Sequence, residues 1–176
     1  TVLVALGGIE SDLPLASWPY TPDTAWLFAQ PVCTQRDDMF DGTQLPMEFI
    51  DMLASCDAVL TKPGYGTYTE AVCNAVPVLT LARPDWPETT GLNDWARRHG
   101  RLQEISQADF AGGRFTAALQ ALWQQSPATP PAPAGIGQAA DLLAHGIGGA
   151  LVPSGTAGHL FAARIWSQPL VNMSRA

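Results

Sequence analysis

Two short glycine-bearing stretches carry the residue types from which an anion site is built. The first is Leu6-Gly7-Gly8-Ile9-Glu10, and the second runs Thr61-Lys62-Pro63-Gly64-Tyr65-Gly66-Thr67-Tyr68-Thr69-Glu70. Glycine lets a backbone approach a ligand closely and take dihedrals closed to other residues. A helix expected from about Thr67 to Ala75 would point its first N–H groups and its positive end into the second loop. Phosphate is the anion that best suits such a helix end. Lys62 would add a point charge there, and Thr67 a hydroxyl donor. The same residues also form a capping-box pattern, with Thr67 at the N-cap and Glu70 satisfying its backbone donor in return. Gly7-Gly8 is likewise open to being a plain tight turn. Neither stretch ends in the Gly-Lys-Ser/Thr of a P-loop, and Gly7-Gly8 lacks the third glycine of a dinucleotide fingerprint. No acidic residue ends the Ala25–Ala29 run to take an adenosine ribose, which disfavours NAD.

Other chemistry-bearing residues are more scattered. Asp37, Asp38 and Asp41 have a spacing that suits Mg²⁺ held through a diphosphate, but in a polar loop beside Gly42 they read first as a solvated turn. His99, His145 and His159 have neither metal-ligand spacing nor a Ser–His–acid partner pattern, so no metal is expected. Cys33, Cys56 and Cys73 show no CxxC spacing and read as small apolar fillers rather than a disulfide framework. Trp86 alone of the six tryptophans lies beside a candidate loop.

These loops need strands and helices to hold them. Val2–Leu6, Ala25–Ala29, Asp57–Thr61 and Pro77–Ala82 are apolar runs of strand length, and a brief strand is expected at Leu102–Ile105. Helical spacing appears from Pro46 (through Phe49, Ile50, Leu53 and Ala54), over Gly91–His99 and over Thr116–Gln125. Thr34–Gln44 reads as a polar loop. Alternation of this kind predicts an α/β fold, a parallel sheet covered by helices on both faces, over residues 1–125. Ser126–Gly135 is a Pro/Ala-rich linker, and residues 136–176 hold a further helix near Ala139–Ala144 and a Gly-rich tail. Val2 opens a buried strand with no lead-in, so the chain is expected to be part of something longer.

Composition narrows the class. Of 176 residues, 47% are hydrophobic and 14% charged, which fits a packed domain rather than disorder. A net charge of −7 with no basic stripe argues against nucleic acid as a partner. No apolar run reaches the ~18 residues of a membrane span, and no basic-then-apolar leader is visible, which makes the cytoplasm the expected location.

The segment Asp57–Ala71, followed by Ala75-Val76-Pro77-Val78-Leu79 and then Asp94–Gly100, resembles the C-terminal half of GT-B glycosyltransferases. It is most similar to the branch containing the lipid I N-acetylglucosaminyltransferase and to the UDP-glycosyltransferases. The resemblance covers about Val2–Ile105 and implies a Rossmann-like domain that binds a UDP-sugar as substrate, with no tightly bound cofactor. The acceptor domain, and usually the catalytic base, would lie in an N-terminal half outside these residues, as would any peripheral membrane contact. By motif position Glu70 would take the ribose hydroxyls, and Gly64, Tyr65, Gly66 and Thr67 would line the diphosphate, with Lys62 near it. Gly7 and Gly8 would form the glycine turn after the first strand, and Leu45 and Pro46 would hold the uracil edge. Arg83, Asp85, Glu88 and Thr89 fall in the donor-sugar loop, where Thr89-Thr90 replaces the acidic-Gln or Gln-Gln pair of many relatives. Leaving-group charge on the diphosphate would be stabilised by the helix end, Lys62 and Thr67 without a metal. The implied activity is hexosyl transfer, absent from the isolated domain. The alternatives are a non-catalytic interaction module and a UDP-sugar epimerase.

Overall fold

A computed structural model describes residues 1–7 and 13–146. Six parallel strands form one sheet: β1 (Val2–Ala5), β2 (Trp26–Phe28), β3 (Met39–Asp41), β4 (Ala58–Thr61), β5 (Val78–Leu81) and β6 (Leu102–Ile105). Their spatial order is β3-β2-β1-β4-β5-β6. The helices are α1 (Phe49–Ala54), α2 (Tyr65–Cys73), α3 (Thr89–His99), α4 (Gln107–Ala111), α5 (Thr116–Gln124) and α6 (Gly135–Gly146). Every residue of β1, β4 and β5 is buried, as befits central strands sandwiched between helical layers.

The pleat sends alternate side chains to two different cores. On one face Val2, Val4, Trp26, Phe28, Leu60, Leu79, Leu81 and Ile105 meet Trp18, Phe110, Phe115 and the α5 residues Leu119 and Leu122. Trp18 sits at the centre of this aromatic cluster, its ring 5.1–5.7 Å from those of Trp26, Phe28, Phe110 and Phe115. The Pro-rich stretch that carries it is held by Arg36. That guanidinium donates to the Trp18 and Pro19 carbonyls at 2.6 and 3.1 Å and forks onto Asp38 at 2.9 and 2.6 Å. The hydrogen bonds to Arg36 hold the Asp38 carboxyl below its ordinary range. On the other face the helices α1, α2 and α3 cover the sheet with Met52, Leu53, Tyr68, Ala71, Val72, Leu92 and Ala96.

Several boundaries differ from the sequence expectation. The stretch Thr34–Gln44 is not all loop: it contains β3 and a 3₁₀ turn at Gly42–Gln44. Only Met39 of β3 is buried, so this edge strand shows no apolar signature. The helix α1 starts at Phe49, with Glu48 at its N-cap, and Pro46 lies outside it, because the 3₁₀ turn occupies the preceding residues. The chain divides into two compact units, Thr1–Pro131 and Ala132–Ala176. In the second, α6 begins at Gly135, earlier than Ala139. Gly8 and the tail beyond Gly146, including His159, lie outside the described residues.

Candidate anion-binding site

The strand order reverses between β1 and β4. Connections from these two neighbours leave in opposite directions, and the crevice beyond their carboxyl ends is where open α/β sheets bind ligands. Both glycine loops open there. The Thr61 hydroxyl, buried, donates to the Ala5 carbonyl at 2.6 Å and ties the two strand ends together. Gly7 follows with φ +69°, a conformation that favours glycine. A Cβ built on it would stand 3.4 Å from Lys62 Cε and 3.6 Å from Nζ, so the Lys62 side chain runs directly across the Gly7 backbone.

Beyond Lys62 the chain enters α2 three residues earlier than the capping-box pattern predicts. Gly64 is the N-cap, extended at φ −169° and ψ 139°, and no side chain caps the helix. Its carbonyl accepts the Tyr68 N–H at 3.2 Å. Thr67 is therefore the third helical residue, not the cap, and the reciprocal bond with Glu70 does not form. Because the helix has begun by Tyr65, Thr67 has helical rather than N-cap dihedrals. Among the described residues the Thr67 hydroxyl and the Glu70 carboxylate make no hydrogen bond, and at three residues' separation they share one helix face. The first-turn amides of Tyr65, Gly66 and Thr67 have no intrahelical acceptor.

A second cation stands beside the first. Burial, and then the Arg83 charge, push the Lys62 pKa below the ordinary lysine value. The Arg83 guanidinium lies over the Trp86 ring at 5.3 Å. Burial first, and then the neighbouring Glu88 carboxylate, push the Tyr65 hydroxyl pKa up. The loop 83–88 thus brings Glu88 beside the start of α2. Thr89, of the expected donor-sugar loop, is buried, and its hydroxyl donates to the Arg83 carbonyl at 2.8 Å. It supports Arg83 from behind.

The structure therefore groups Gly7, Lys62, Gly64, Tyr65, Gly66, Thr67, Arg83 and Glu88. Asp85 is an exposed member of the same loop. Leu45 and Pro46 are exposed beyond β3, and β3 is three strand spacings from β4, about 14 Å at ~4.8 Å each. Of the Asp37, Asp38 and Asp41 carboxylates two are engaged locally: Asp38 by Arg36, and Asp41 by the Thr43 N–H and hydroxyl at 2.9 and 2.6 Å. Among the described residues no group of three or more His, Cys, Asp or Glu could hold a metal ion. His99 packs against Trp95 with ring centroids 5.3 Å apart. A cavity of about 460 Å³ lies at the opposite, amino-terminal edge of the sheet, lined by Cys56, Asp57, Asn74, Arg101 and Trp123 among others. Among the described residues no helix is long and apolar enough to cross a membrane.

The pairing of Lys62 with Arg83 and of Tyr65 with Glu88 escaped the sequence reading. The available signal was position: Lys62 directly follows β4 and Arg83 shortly follows β5, and these strands are neighbours in register.

No protein-family model matches this sequence, and no curated protein matches it. Among solved structures, the glycotransferase of kitacinnamycin is similar to it with a TM-score of 0.55 and 19% identity, over 70% of this chain and 34% of that one. The glycosyltransferase SnogD from Streptomyces nogalater aligns over 82% of this chain and 43% of its own, with 21% identity and a TM-score of 0.45. The fold is Rossmann-like α/β, shared with part of a solved glycosyltransferase. The chain spans about a third of that protein's length.

Proposed function

We propose that this chain is the donor-binding half of a GT-B glycosyltransferase, receiving a UDP-sugar at the carboxyl ends of β1 and β4. One observation carries the proposal. An uncapped helix start, the Gly7 turn and two neighbouring cations converge where the strand order reverses, and the four ion pairs among the described residues include neither Lys62 nor Arg83. A diphosphate is the ligand whose charge matches that set. Glycosyl transfer breaks the bond between sugar and diphosphate, and negative charge grows on the departing oxygen. The first-turn amides with Lys62 and Arg83 would stabilise that charge, and loss of one such donor commonly costs ~10²–10³ in rate. Glu70, on the face shared with Thr67, would accept the ribose hydroxyls, and Glu88, oriented by Tyr65, would accept a sugar hydroxyl. The acceptor site and the base would come from the part of the enzyme outside this chain, so the isolated domain would bind the donor and transfer nothing.

A non-catalytic module is the second reading, and it is favoured by the engagement of the buried Thr89 hydroxyl with the Arg83 carbonyl. Titrating UDP and uridine against the purified domain decides between them. Millimolar or tighter UDP binding, with uridine much weaker, supports the donor-site reading. No preference for UDP would leave the module.

A further inference from the structure

The first-turn amides of α2 can serve an anion only if the helix end is held at one height and one rotation above the sheet. A rotation of about 20° moves a backbone atom on the ~2.3 Å helix radius by ~0.8 Å. That exceeds the whole ~2.7–3.2 Å spread of good N–H···O distances. What holds this helix end lies directly beneath it.

Tyr68, whose N–H closes the first turn on Gly64, sends its side chain inward to 0% exposure. Its hydroxyl stands 2.6 Å from the Thr80 hydroxyl on β5 and 2.8 Å from Asn93 Oδ1 on α3. Asn93 Nδ2 in turn donates to Glu104 Oε2 on β6 at 2.6 Å. An amide oxygen only accepts, so the Tyr68 proton points to Asn93 and the Thr80 hydroxyl donates to the phenol oxygen. Burial pushes the phenol pKa well above its ordinary value and keeps it a neutral donor. Four elements (α2, β5, α3 and β6) are joined by one chain of directional bonds in a layer otherwise built from apolar side chains. Apolar residues at positions 68, 80 and 93 together would pack this layer with no polar group to satisfy, but they would not fix the rotation of the helix.

We propose that Tyr68, bonded to Thr80 and Asn93 and through Asn93 to Glu104, is a positioning residue for the anion site, fixing the direction of the Tyr65, Gly66 and Thr67 amides. This rests on the diphosphate reading given above. The test compares the purified chain with Tyr68→Phe and Glu104→Gln by calorimetric titration with UDP and with inorganic pyrophosphate, at a temperature where all are folded. Amide hydrogen exchange is followed in parallel without ligand. Tyr68→Phe should weaken both ligands alike, by roughly five- to tenfold, about the loss of one well-aligned charge-assisted bond. It should also speed exchange at residues 68–71 beyond that at β1 and β4. Glu104→Gln keeps an acceptor for Asn93 and should retain near-native affinity. If Tyr68→Phe folds poorly, Thr80→Val, which removes one partner, should show the same changes on a smaller scale. A lower unfolding midpoint with both affinities and the local exchange unchanged would reduce Tyr68 to a packing residue and overturn the proposal. Failure of the unmutated chain to bind either ligand would instead overturn the diphosphate reading, while local exchange still reports on positioning.

Discussion

Replacing Lys62 with methionine should weaken diphosphate binding yet leave the fold as stable as before, or more so. In the free protein Lys62 lies half-buried across Gly7 with Arg83 as its neighbour, and both circumstances depress its pKa below the ordinary 10.5. Between the depressed value and 10.5 the unfolded chain binds more protons than the folded one, so stability rises with pH through that window. Below it the charged ammonium opposes folding. Methionine retains the aliphatic length and removes the charge. With a diphosphate in place the sign reverses. Unit charges ~4 Å apart attract by about 1 kcal/mol in bulk water and about 4 kcal/mol at an effective dielectric of 20. A half-buried lysine on a loop lies between these limits, and its lost hydration removes part of the gain. The remainder is about 1–2 kcal/mol, roughly a 5–30-fold change in affinity. Calorimetric titration of UDP at low and high salt, with chemical denaturation of both proteins, measures the two halves separately. The affinity gap should narrow as salt rises. Unchanged UDP affinity would reduce Lys62 to a strut over Gly7, and a lowered unfolding midpoint would refute the repulsion from Arg83.

Two further outcomes follow from the same contacts. Asp38→Asn should cost about 1–3 kcal/mol at neutral pH, because it leaves Arg36 half-buried beside a weaker acceptor. Asp38 has a folded pKa depressed below its unfolded one, so its contribution is present above pH ~4 and is lost as pH falls through the folded value. Urea unfolding at a series of pH values should therefore show the two proteins converging in acid. Glu70→Ala should change stability by less than about 0.5 kcal/mol, since the carboxylate makes no hydrogen bond among the described residues. It should weaken UDP by about tenfold and pyrophosphate hardly at all, as fits a partner of the ribose. Equal losses for both ligands would move Glu70 off the nucleoside.

The buried strands were readable because each is an unbroken apolar run, and Val2–Ala5, Ala58–Thr61 and Val78–Leu81 fall inside the predicted segments. Edge and turn chemistry was less so. Only Met39 of β3 enters the core, and Phe40 is 50% exposed, so the strand exists through backbone pairing with β2 rather than through its own pattern. The start of α2 was misplaced by a stronger-looking signal. Thr67 and Glu70 match a capping box, but Gly64 takes the extended N-cap conformation first, and no later residue can then cap the helix. Trp18 emerges from what reads as a Pro-rich connection, and only the Arg36 fork shows why it belongs to the core.

Sheet order is what turns scattered residues into a site, and no local pattern encodes it. Gly7 and Lys62 are far apart in sequence, yet pairing of β1 with β4 lays one across the other. Pairing of β4 with β5 then sets Arg83 beside Lys62. An acidic chain has ample means to neutralise such a pair, and Arg36, Arg97 and Arg114 do find aspartates. Glu88, in the same loop as Arg83, instead stands beside the Tyr65 hydroxyl. Two cations stand together at a helix start without a side-chain cap, in a protein of net charge −7, and among the described residues neither enters an ion pair. On the donor-site reading proposed above, a bound diphosphate would turn the repulsion between Lys62 and Arg83 into attraction to a shared partner.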